Sequence, residues 1–281
     1  MLGYDNLIGA ALVQDGSWLS TLPLANIQDR ELGLVARSNG LALSATKFVI
    51  DVGAFNVVRL IDIVCHTLSL DAKYRIRSSA ISDFSVIGTD SGWRDVWPAV
   101  YPFGTLPWGS PNWWDGRYTA KQIAAQKTEL KYILAEDCTD QFWLIEFDDQ
   151  TNTAGHIDVG YVFIGPAWQP ATNASFGWSL GWEDPSEIDV SLSGAESADE
   201  RPGYRVVRFS TDWMEEDEAL AQAFEIQRAS GVTRDVVVIW NPDDTVHALR
   251  RSFLARLRKL DPITNPYVQL NKTGWEAKER L

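Results

Sequence analysis

The sequence predicts a mainly β protein in two parts, and three observations carry that prediction. Residues 47–79 read as three strands separated by turns, with apolar side chains recurring at every second position. Two later runs, FWLIEF at 142–147 and HIDVGYVFI at 156–164, share this texture and stop at turn residues. One segment, 213–229, carries the marks of a full-length helix: Thr211 and Asp212 as caps, an acidic first turn, and Arg228 and Gly231 at its end.

Taken in order, residues 1–44 have Gly, Asn, Ser or Pro every few positions, with Trp18, Leu22 and Leu24 as isolated apolar anchors. This reads as an extended arm holding one short strand at 33–37. In the next strand Phe48, Ile50 and Val52 share one face while Lys47, Val49 and Asp51 share the other, until Gly53 ends it. The strand from Val57 carries Ile61, Ile63 and Cys65 on one side and Val58, Leu60 and Val64 on the other, so both its faces should be covered. The third alternates Ala72, Tyr74 and Ile76 against Lys73, Arg75 and Arg77, which gives one dry face and one wet one. Phe48, Ile50, Ile61, Ile63, Tyr74 and Ile76 are the expected core.

Residues 83–118 interleave seven Trp, Tyr and Phe side chains between Trp93 and Trp114 with Pro98, Pro102, Pro107 and Pro111. Disordered segments are poor in aromatics, so this loop must pack on something. Residues 121–134 suit a helix by composition, with Lys131 to Leu134 pairing into a sheet. Asp148, Asp149 and Asn152 form an acidic turn, and GPAWQPAT at 165–172 reads as a stiff linker. The predicted domains are therefore an arm at 1–44, a β-sandwich at 45–165 and a smaller β domain at 166–281.

In that second domain, strands are expected at 176–182, 188–192, 204–209, 236–240, 252–260 and 267–278. The helix would bury Leu220, Ala223, Phe224 and Gln227 as one stripe. The last strand has only Leu270, Trp275 and Ala277 as apolar residues, so it reads as an edge strand completed by a neighbouring chain.

The pattern Phe-x-Ile-Asp-x-Gly at 48–53, the long apolar strand and Tyr-Arg-Ile-Arg at 74–77 together resemble the galactose-binding-like (discoidin-type) jelly roll. With ANIQDRELGLVARS at 25–38 and SGWRDVWPAVYP at 91–102, the chain is also similar, over most of its length, to minor tail and tail-tip proteins of long-tailed bacteriophages. The order strand, acidic helix, strand, turn and two strands after residue 204 resembles the tail-tube-like unit of distal-tail proteins. This likeness implies a virion structural protein, a distal-tail or baseplate component assembled in the bacterial host cytoplasm, which forms a ring and docks other tail proteins. The alternative is a carbohydrate-binding module with a Trp-rich sugar platform facing host-surface glycans.

Composition narrows the classes. A formal charge of −13 argues against sequence-specific nucleic-acid binding, which needs a basic patch. No apolar run approaches the ~20 residues of a membrane span, and the first residues lack the basic region of a secretion signal. Three histidines and two cysteines fall at no metal-ligand spacing, and no nucleophile elbow or phosphate loop is present, so neither an enzyme nor a metal or cofactor site is expected. Asp148/Asp149 and Glu183/Asp184 are adjacent pairs, which on a strand point to opposite faces and do not converge.

The candidate interaction residues are Trp108, Trp113, Trp114, Leu270 and Trp275. Trp113 and Trp114, flanked by Asn112, Asp115 and Gly116, are expected to be exposed. They are expected to touch a partner chain rather than a sugar, since few long polar side chains flank them.

Overall fold

The computed structural model describes all 281 residues, Met1–Leu281. The chain is mainly β and folds as two compact units, one formed by Asn6–Ala167 with Pro242–Arg250, the other by Met1–Asp5, Trp168–Asn241 and Arg251–Leu281. The chain passes between the units near residue 167. The first 44 residues do not form a separate arm: Met1–Asp5 belongs to the second unit, where Leu2–Gly3 pairs with Asp235–Ile239, and residues 6–44 belong to the first.

The first unit is a β-sandwich. One antiparallel sheet runs Leu12–Gln14, Lys47–Asp51, Phe142–Asp148, Lys73–Ser79, Arg94–Asp95. The other runs Val162–Gly165, Val58–Val64, Glu129–Cys138. Alternation places Phe48, Ile50, Tyr74, Ile76, Trp143, Ile145 and Phe147 inside, and all are buried. In Val58–Val64 every residue but Arg59 is buried, as expected of a strand covered on both faces. Asp62 is buried with it. Its nearest cation, the Lys131 ammonium, lies 3.7 Å away, beyond hydrogen-bond range, and is itself held by Glu129.

The second unit is organised on an eight-stranded sheet whose central run is Asp235–Ile239, Ser252–Leu260, Leu270–Glu279, Tyr204–Met214, Ser179–Glu183. Here the structure corrects the expected edge strand. Leu270–Glu279 is interior, paired on one side with Tyr204–Met214 and on the other with Ser252–Leu260. A strand buried on alternate residues needs few apolar side chains, and Thr273, Trp275, Ala277 and Glu279 supply its inward row. Glu279 is satisfied inside the unit by Arg205, whose guanidinium also stacks 4.5 Å from the centroid of the Phe253 ring.

The helix also differs from expectation. Trp213 ends up in the strand Tyr204–Met214, and the helix starts after Glu215, running through Glu216–Glu218, a π-helical turn Ala219–Phe224 and Glu225–Ser230. Its buried stripe is Ala219, Ala223, Ile226 and Ser230, while Leu220 and Phe224 are half exposed. These positions keep the regular helical spacing, and the two alanines and Ile226 join the apolar core of the unit. No helix is long and apolar enough to cross a membrane.

Candidate functional site

The aromatic loop of the first unit is a folded structure with a rigid base and an exposed head. At the base Trp97 is buried, its indole N–H donating to the Leu68 carbonyl and its ring 5.6 Å from that of His66. Burial pushes the His66 imidazole down to about 3, so it is neutral at ordinary pH. The backbone N–H groups of Val100 and Tyr101 both donate to the Gly116 carbonyl, and Gly116 donates to Asn112. Gly116 has φ +61°, and a Cβ there would stand 2.6 Å from the Tyr101 carbonyl oxygen, so only glycine closes this crossing. The buried Asn112 amide donates to the Arg117 carbonyl. Tyr118 anchors the far end, its hydroxyl donating to the carbonyls of Thr245 and Val246.

On this base the head gathers Trp108, Trp113 and Trp114, with Phe103, which sequence reasoning did not single out. Trp113 is the hub, with centroids 4.7 Å from Trp108 and from Trp114 and 5.4 Å from Phe103, all edge-to-face. Phe103 is 83% exposed, Trp108 81% and Trp114 81%, so ring faces remain open to solvent.

Charged side chains brace the loop. Asp115 accepts the Arg117 backbone N–H, and the Arg117 guanidinium donates to the Leu70 carbonyl and to Asp71 and lies 3.8 Å from Asp95. The pairing of Arg117 with Asp71 joins positions 46 apart in the chain and leaves no local signal. It supplies the long polar side chains that the flanking sequence lacks.

The other two candidates do not join this site. Trp275 is buried in the core of the second unit, against Trp168 and Phe209, with its indole N–H donating to the Thr211 hydroxyl. It packs a sheet and offers nothing to a partner. Leu270 opens the same strand and is half buried. The paired carboxylates are engaged structurally: Asp149 accepts from the Ser69 backbone and hydroxyl and from Asn152, and Glu183 is held by Arg208 and Arg258.

No family model and no curated protein matches the chain. Among solved structures, it is similar to the sixth family 32 carbohydrate-binding domain of a family 89 glycoside hydrolase from Clostridium perfringens (15% identity, 58% of this chain and 99% of that one, TM-score 0.36). A second is the family 32 carbohydrate-binding module of Clostridium perfringens NanJ in complex with galactose (10% identity, 58% and 98%, TM-score 0.36). A third is CBM32-1 from a family 31 glycoside hydrolase of Clostridium perfringens (11% identity, 58% and 99%, TM-score 0.36).

Proposed function

We propose that this protein is a non-catalytic carbohydrate-binding module that engages glycans through the Phe103, Trp108, Trp113 and Trp114 cluster. The observation that carries this reading is the exposure of three large aromatic side chains on a loop whose backbone is fixed by its own hydrogen bonds. Apolar surface gathered this way on a rigid base is a binding feature. Sugars present C–H faces that stack on indole rings and hydroxyls that need planar donors and acceptors beside them. Arg117, Asp71, Asp95 and Asp115 provide both kinds of group.

A glycan array tests this. Wild-type protein is expected to select a defined group of glycans, and Trp114→Ala to weaken that binding at least about tenfold, equivalent to ~1.4 kcal/mol. The thermal midpoint should stay unchanged, because Trp114 contributes little to the core. An array without binding, or binding indifferent to both Trp113→Ala and Trp114→Ala, overturns the reading.

A second reading is a structural component of a bacteriophage tail tip, and one feature of the second unit suits the self-association that this reading needs. Its hairpin Glu187–Val190 and Glu196–Asp199 is exposed at every strand residue, with Ile188 and Val190 bare on one face and Leu192 at the tip. An isolated two-stranded hairpin is marginal in water, so a neighbouring chain that covers it would stabilise it. On this reading, light scattering of the concentrated protein gives the mass of an oligomer that reverts to monomer when residues 187–199 are replaced by a short Gly/Ser turn. A monomer throughout, with no assembly on adding tail components, removes this alternative.

A further inference from the structure

The second unit holds two cations that its carboxylates leave unpaired. On the sheet face opposite the inward row of Thr273, Trp275, Ala277 and Glu279, the register sets Arg256 beside Lys278 and Lys278 beside Val206. Directly opposed residues carry their side chains on one face with Cβ atoms about 5 Å apart, and like charges so placed repel. On the other side of Arg256 stands Asp235, which is buried and paired with Arg280 at 3.2 Å. Arg256 is exposed and has no carboxylate partner. Lys278 has none either, and its ammonium lies 3.6 Å from the centroid of the Tyr204 ring, which fixes its position. Gly181, next in the row beyond Val206, adds no side chain and leaves this face open.

Such a pair stands out in this chain, where 38 Asp and Glu residues face 25 Lys and Arg. Arg251 apart, which lies over the Trp178 ring, every other Lys and Arg side chain of the unit is paired with a carboxylate. The nearest charges on the same face are closed among themselves, since Arg208 and Arg258 share Glu183 and Glu276. That quartet carries no net charge. Arg256 and Lys278 therefore remain as a local surplus of positive charge. Partial burial, with Arg256 and Arg258 nearby, holds the Lys278 ammonium below its usual value against the pull of Glu183. The fold thus maintains a repulsion that an anion seated between the two side chains would relieve.

The charges also select the anion. A carboxylate answers one of the two cations, whereas a phosphate dianion answers both, with oxygens enough to meet the Arg256 fork and the Lys278 ammonium together. A long polyanion is disfavoured, because beyond this patch it meets the field of a chain with a formal charge of −13. We propose that Arg256 and Lys278 form a site for a dianionic phosphate group, either inorganic phosphate or the monoester of a small molecule. The site uses none of the residues of the aromatic loop and stands or falls independently of it.

The test follows the Arg256 Nε–H and the Lys278 backbone amide by NMR in the whole protein, at constant ionic strength and about pH 7.5, where a phosphate monoester is nearly all dianion. Inorganic phosphate, glucose 6-phosphate and acetate are titrated in turn. At least one of the two phosphates is expected to give saturable shifts at millimolar concentration, with acetate weaker. Arg256→Gln and Lys278→Gln should each weaken that binding at least about tenfold, the loss of one charge-assisted contact. In phosphate-free buffer Arg256→Gln should melt no lower than wild type, because it removes one of two opposed like charges. Binding of glucose 6-phosphate, with or without the free ion, identifies a monoester site; binding of inorganic phosphate alone identifies a site for the free ion. Absence of saturable shifts with both phosphates, acetate binding as tightly, shifts that survive both substitutions, or a lower melting point for Arg256→Gln would overturn the assignment.

Discussion

Replacing Ile63 with Asp is expected to abolish soluble expression. Ile63 is fully buried in the central strand of the three-stranded sheet, paired with Leu130 on one side and Val162 on the other. A carboxylate there meets apolar neighbours, and burying it costs several kcal/mol against a total stability of ~5–15 kcal/mol for an ordinary domain. Ile63→Val serves as the control. It removes one methylene from the same site, should cost about 1 kcal/mol, and should fold with a slightly lower thermal midpoint. Soluble Ile63→Asp protein with wild-type melting would show that this strand does not lie in a packed core.

Replacing Asp62 with Asn should have the opposite effect, and one that depends on pH. Burial raises the Asp62 carboxyl from 3.8 to about 8; Lys131 opposes that shift and Glu129 adds to it. Between those two values the native state binds more protons than the unfolded chain, so stability falls as pH rises and levels off above about 8. His66 acts in the reverse sense. Its pKa is lowered from 6.5 to about 3, so the unfolded state binds more protons below 6.5 and stability rises with pH across that window. The two slopes oppose each other from about 4 to 6.5, and between 6 and 8 the Met1 ammonium, lowered by burial from 8.0 to about 6, opposes Asp62 in the same sense as His66. The Asp62 contribution, a decline of about 1.4 kcal/mol per pH unit between 6.5 and 8, is therefore read as the difference between wild type and the Asp62→Asn variant, in which the other groups cancel. The amide of the Asp62→Asn variant cannot ionise and should remove that decline, with a gain of several kcal/mol at pH 8. Urea midpoints measured from pH 5 to 9 for both proteins decide the matter. A stability difference between the two proteins that does not grow from pH 6.5 to 8, or a variant weaker than wild type at pH 8, would show that Asp62 is ionised and paired in the native state.

The first sandwich was legible in the sequence because its information is local. Phe48 and Ile50, Tyr74 and Ile76 alternate with charged or polar neighbours at the two-residue period that any half-buried strand must show, whatever it pairs with. The doubly apolar run 58–64 announced burial on both faces for the same reason. Of the two tryptophans expected to be exposed among the turn formers Asn112, Asp115 and Gly116, Trp114 is 81% exposed, whereas Trp113 is half-buried because three rings pack on it.

Partnership between distant segments was settled by tertiary structure alone. Thr273, Trp275 and Ala277 look too sparse for a central strand until Arg205 meets Glu279 and two neighbouring strands take up the backbone hydrogen bonds. The helix turns Ala219, Ala223 and Ile226 into the core and leaves the larger Leu220 and Phe224 half exposed, a choice made by the sheet it packs on. Phe103 joined Trp113, and Arg117 joined Asp71. None of these arrangements has a period in the sequence. Periodicity records which way a side chain faces, whereas its neighbours across the fold are chosen by the packing of segments far apart in the chain.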